Sequence, residues 1–151
     1  VQLATYLNDH LSGSTAALEL LEHLEKAHAD LVPFLKALRH DIEFDRKELE
    51  SLIARLGARQ SASRQAVAWV AEKFARLKMT VDDLSGGRLK LLESLEAVAI
   101  GIHGKGALWR ALKFVPAASG PDYDLLARRA DEQRERLEPV RLDAARRAFE
   151  G

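Results

Sequence analysis

RLKLLESLEAVAIGIHGKGALWRALKF, Arg88 to Phe114, is the stretch around which the rest of the chain can be read. At about 100° per residue, Leu92, Leu95, Val98, Ala99, Ile102, Gly106 and Trp109 cover an apolar arc about half the circumference wide. A helix apolar over so wide an arc must touch more than one neighbour. Glu96 and His103 lie on the flank of that arc, nearly in line along the helix. Gly101, Gly104 and Gly106 each cost about 1 kcal/mol in helix stability relative to alanine. Close packing is the expected compensation for all three.

The totals fit an all-helical protein. The chain has 151 residues, enough for one ordinary domain with a substantial core. Only nine glycines and four prolines interrupt a sequence rich in Ala, Leu, Glu and Arg. Lysine plus arginine equal aspartate plus glutamate at 23 each, which argues against a general nucleic-acid binder. The chain has no cysteine, so thiolate metal sites, thiol nucleophiles and disulfides are excluded. No apolar run approaches the roughly 20 residues needed to span a bilayer. No charged-then-apolar leader opens the sequence. The expectation is a soluble, cytoplasmic protein without membrane or nucleic-acid partners.

Taken in order, the first helix is expected over about 2–28, with Leu3, Leu7, Ala17, Leu18, Leu21 and Leu24 as its stripe. His10, Ser14 and His28 fall inside that stripe. Asp30 is the expected N-cap of a second helix over about 31–56, with Pro33 in the first turn and Gly57 just past the end. Its stripe runs Leu31, Phe34, Leu35, Leu38, Ile42, Leu49, Leu52, Ile53 and Leu56, interrupted near its midpoint by Asp45. A shorter segment over about 63–79 carries Val67, Trp69, Val70, Phe74 and Leu77. TVDDLSGG, Thr80 to Gly87, breaks helix. Helices over about 88–114 and 122–149 complete the chain, the last capped by Asp122. Pro139 is expected to kink that last helix, and Gln133 sits in the middle of its apolar stripe with Arg129 beside it.

Helices of this length make rods of roughly 38 Å, matched for a bundle. The first two have almost no connection between them and must run antiparallel. About 30 residues separate the second long helix from the Arg88 helix, far more than a hairpin needs. With the 63–79 segment carrying the chain back along the outside, those two helices run parallel. The expectation is one all-α domain, a four-helix bundle with a single long crossover.

In helix lengths and crossover the chain resembles the ferritin-like superfamily, in particular its small bacterial members of unknown function. That resemblance implies a ferritin-like four-helix bundle. Active members hold two metals between the helices, with one glutamate from each of two helices and a Glu-x-x-His pair from each of the other two. This chain departs from that pattern. Its one Glu-x-x-His, Glu25 and His28, lies at the end of the first helix; His40 precedes Glu43 in reversed order; the last helix has no histidine. The resemblance implies the fold and a degenerate or absent di-metal motif.

Placed by their midpoints, the helices bring Ser14, Asp45, His103 and Gln133 within about 5 Å of one level, using about 1.5 Å per residue. His10 and Arg129 fall one to two turns to one side and Glu96 about two turns to the other. A buried Asp45 needs a donor, for which His10, His103 and Arg129 are the candidates. Three readings stay open. One is a structural polar layer of Asp45 with Ser14, Arg129 and Gln133, in a non-catalytic structural or interaction protein. Another is a mononuclear Zn or Fe site from His10, Asp45 and His103 with Glu96, in a metal-binding protein or metal-dependent oxidoreductase. The third is a small-molecule pocket. The glycine-bearing face of the Arg88 helix also suits a homodimer.

Overall fold

The computed structural model describes residues 2–58, 72 and 87–150. Four long helices are present among them: α1, Gln2–Ala27; α2, Val32–Arg55; α3, Arg88–Leu112; and α4, Tyr123–Phe149. Short 3₁₀ turns at Ala29–Leu31 and Pro116–Ala118 join α1 to α2 and α3 to α4. The expected 63–79 helix, with Trp69 and Phe74, lies outside the described residues. Among those described, no helix is long and apolar enough to cross a membrane.

The core has two parts, and they fix the helix directions. Leu20, Leu21 and Leu24 late in α1 pack with Leu35, Leu38 and Ile42 early in α2, Leu91 to Ile102 early in α3, and Leu137 and Ala144 late in α4. Leu7 early in α1 packs with Leu49, Leu52 and Ile53 late in α2, Leu108, Trp109 and Leu112 late in α3, and Leu126 early in α4. Thus α1 is antiparallel to α2, α3 is antiparallel to α4, and α2 runs parallel to α3. The most extensive helix contacts are α3 against α4 and α1 against α2.

The helix ends follow local chemistry. Gly57, at φ +60°, closes α2: its N–H donates to Ala54 O at 3.1 Å, and Ala58 N–H donates to Ile53 O at 2.9 Å. That reciprocal pair satisfies carbonyls which the helix itself leaves free. Asp122 caps α4, accepting from Leu125 N at 3.0 Å. Asp30 does not cap α2. The 3₁₀ turn occupies its position, Leu31 becomes the N-cap without a side-chain bond, and Asp30 reaches Arg147 on α4 at 3.2 Å. Pro139 lies inside α4, which continues through it.

The glycines of α3 divide. A β-carbon at Gly106 would lie 3.4 Å from Ala130 Cβ, so this glycine does permit close approach of α4. At Gly101 and Gly104 a β-carbon would meet nothing within 4 Å, so packing compensates neither. Gly104→Ala is therefore expected to stabilise the protein by about 1 kcal/mol, the helix-propensity difference. Gly106→Ala should gain less or lose. Urea unfolding of the two variants checks the difference in sign or size.

Candidate functional site

Asp45 sits halfway along the stripe of α2, between Ile42 in one core cluster and Leu49 in the other. It is 1% exposed. Its Oδ1 accepts from Arg129 Nε at 2.9 Å, and its Oδ2 accepts from Lys105 Nζ at 2.6 Å and Gln133 Nε2 at 2.8 Å. Lys105 Nζ also donates to Gln133 Oε1 at 2.6 Å. Arg129 extends outward, donating to Asp41 O at 3.4 Å and lying 4.4 Å from the centre of the Phe44 ring. Arg136 on α4 also pairs with the Asp41 carboxylate. One carboxylate from α2, one ammonium from α3 and two side chains from α4 thus form a closed layer between the two halves of the core.

The four residues carry two positive charges and one negative. Burial pushes the Lys105 ammonium below its ordinary pKa and the nearby Arg129 adds to this, while Asp45, by charge and hydrogen bond, and Asp41 oppose it. Between the lowered folded value and the ordinary 10.5, the unfolded chain binds the proton more tightly. Stability linked to this group accordingly rises with pH through that window. Lys105→Met should lack this contribution, so the difference in unfolding free energy between wild type and variant must change in that direction as pH rises.

The expected site residues separate. Asp45, Arg129 and Gln133 come together as the polar layer. Ser14 does not join them; it donates to Leu11 O at 2.6 Å within α1. His103 is exposed on α3, and Glu96 pairs with Arg141 on α4 at 3.2 Å. His10 is half-buried, edge-on to Tyr6 with ring centres 4.8 Å apart. Burial holds its pKa below the ordinary value, with Asp9 opposing. Among the described residues, no three His, Cys, Asp or Glu side chains gather where one ion could bind them. Of the expected donors to Asp45, Arg129 is the one used. Lys105 is the additional donor that the sequence reading passed over, and its place two residues beyond His103 carries no obvious signal.

Beside the layer lies a half-open cavity of about 390 Å³, bounded by α1, α2 and α3. Gly13 and Ser14 of α1 face it from one side, and Gly101 and Gly104 of α3 border it from the other. Ile42, Leu49, Val98 and Leu108 make much of its apolar wall, and Asp45 and Lys105 reach its edge. Three buried side-chain polar atoms among the described residues have no hydrogen-bond partner: Asp9 Oδ1, Arg46 Nε and Trp109 Nε1. All three belong to residues lining this cavity.

Among the described residues these features define an all-helical arrangement of four long helices with a charged central layer and an adjoining cavity. The chain matches no protein-family model, no curated protein and no solved structure.

The layer makes unequal demands on its members. Asp45→Leu leaves Lys105 and Arg129 without their shared anion and should cost about 3–5 kcal/mol, as for breaking a buried pair from one side. Asp45→Asn also removes the anion but keeps the shape and one acceptor oxygen, its amide nitrogen facing a donor that the carboxylate had served. It should cost less than the leucine variant, about 1–3 kcal/mol. Lys105→Met leaves Asp45 held by Arg129 and Gln133 and should cost less than either. Denaturant unfolding of the three variants tests that order.

Proposed function

We propose that this chain is a ferritin-like bundle with a fixed charged layer at its centre, working without catalysis as a structural or interaction protein of the cytoplasm. The observation that carries the reading is the engagement of both Asp45 oxygens by Lys105, Arg129 and Gln133. A carboxylate so occupied is suited to fixing helix register. The parallel α2 and α3 support the ferritin-like arrangement, and the absence of cysteine suits a reducing compartment.

The interaction is proposed to include a second copy of the chain. Ile100, Gly104, Ala107, Ala111 and Phe114 recur at helical spacing along one line of α3 and just beyond it. Ile100 is 63% exposed and Phe114 82%. A two-fold dimer would bury this stripe against itself.

Light scattering at micromolar concentration should give twice the chain mass, and Ala107→Glu should return the monomer. Monomeric wild type would sink the dimer. Thermal melts with chelator, Zn²⁺ and Fe²⁺ test the layer separately. Superimposable curves are expected, whereas stabilisation by metal that Asp45→Asn abolishes would favour a metal-binding protein or metal-dependent oxidoreductase instead.

A further inference from the structure

We infer that the cavity between α1, α2 and α3 is a binding site for a small, uncharged, mainly apolar molecule bearing one hydroxyl group, an aliphatic alcohol or a phenol. The inference stands apart from the ferritin-like reading. Ile100 and Gly104 belong both to the lining of this cavity and to the stripe proposed for the dimer, and the Ala107→Glu variant separates the two.

Three observations converge on it. The first is the space itself. At about 390 Å³ the cavity falls in the lower part of the roughly 300–1,000 Å³ range of small-molecule pockets. Gly13, Gly101 and Gly104 border it, and a β-carbon at any of them would meet nothing within 4 Å. At three helical positions on its border, therefore, no neighbour stands where a β-carbon would go. The helices lose propensity there and gain no contact in return.

The second is the set of unpaired atoms. Trp109 is 1% exposed, yet its indole N–H lacks an acceptor. A buried donor or acceptor left unmade costs about 1–3 kcal/mol. Asp9 Oδ1 and Arg46 Nε are unpaired on the same lining. Leu7 packs in the same core cluster as Trp109, which places Asp9 and Trp109 towards the same end of the cavity. Ile42, Ala97 and Val98 line its other, apolar end. A hydroxyl both donates and accepts, so one such group could serve an acceptor and a donor at the polar end while its hydrocarbon lies along the apolar end.

The third is charge. Asp9, Asp45 and Glu50, the partner of Arg46, balance Arg46, Lys105 and the Arg129 that holds Asp45. His10 adds no charge near neutral pH, since burial lowers its pKa. Arg46 and Lys105 are already paired, so a carboxylate ligand would be desolvated without a free counter-charge. An ammonium could meet Asp9 but has no acceptor to offer the Trp109 N–H, which would stay unpaired.

The test uses 1-heptanol, sodium heptanoate and heptylamine as probes of equal chain length, followed by ¹H–¹⁵N NMR on the full chain. Heptanol should bind saturably, one per chain, and shift the amides of Gly13, Gly101 and Gly104 and the Trp109 indole resonance, identified from Trp109→Phe. The two charged probes should bind at least about tenfold more weakly. Trp109→Phe should weaken heptanol about fivefold, one hydrogen bond of about 1 kcal/mol. Gly104→Leu should abolish binding without lowering the melting temperature. Ala107→Glu, outside the lining, should bind as wild type does. No saturable binding to folded protein, equal binding of all three probes, or retention in Gly104→Leu would overturn the inference. So would loss in Ala107→Glu, which would make a second copy the occupant.

Discussion

A carboxylate taken out of water at the centre of a helical bundle is the constraint on which this structure turns. Removing Asp45 from solvent carries a penalty of several kcal/mol, offset only by well-placed donors. The donors come from α3 and α4, at 2.6–2.9 Å. Sliding α2 along its neighbours by one turn, about 5.4 Å, would break all three bonds and leave the charge bare. Leucines alone would not impose so strict a penalty, since a leucine stripe displaced by one turn still meets leucines. The layer therefore contributes register, and the two apolar clusters on either side contribute most of the cohesion.

The first helix stands outside that arrangement. It gives no side chain to Asp45 and is attached by other means: its leucines in both clusters, Glu25 to Arg39 at 3.1 Å, Thr15 to Arg46 at 3.0 Å, and Asn8. The buried Asn8 amide donates to Ala4 O at 2.7 Å and to Ala58 O at 2.8 Å, tying α1 to the turn that ends α2. Between these attachments Gly13 and Ser14 bring little bulk towards α3, and Gly101 and Gly104 answer with little from the other side. The cavity is the space left where one helix is excused from the polar layer and its neighbour carries glycine.

Much of this was legible in the residues, for a definable reason. Asp45 and Gln133 are short or medium polar side chains inside apolar stripes, so periodicity alone brings them inward. The helix directions followed from connection lengths, which limit where a chain can return. Lys105 was not legible. A lysine flanked by glycines reads as solvent-facing, and its four-carbon stem lets the ammonium reach a partner well away from its own backbone position. His103, two residues earlier, points some 200° away around the helix and is exposed. Asn8 was equally hidden, because its value depends on a carbonyl fifty residues away. Gly101 and Gly104 look like close-packing positions in the sequence, which records the absence of a side chain and never whether a neighbour has moved into the space.

The layer also bears on which chemistry the bundle centre favours. A divalent cation approaching Asp45 would meet the ammonium of Lys105 and the guanidinium of Arg129, both already within hydrogen-bonding distance of the carboxylate. Unit like charges about 4 Å apart repel by about 4 kcal/mol at an effective dielectric near 20, and a doubly charged ion doubles the figure for each cation. Asp45 would have to give up both cations to offer its oxygens, leaving them half-buried and unneutralised. Of the residues expected beside Asp45 at a metal, Glu96 is engaged by Arg141, His103 faces solvent, and His10 lies against Tyr6. The same arithmetic favours an uncharged guest in the neighbouring cavity, since a neutral hydroxyl approaches this fixed set of charges without asking any of them to move.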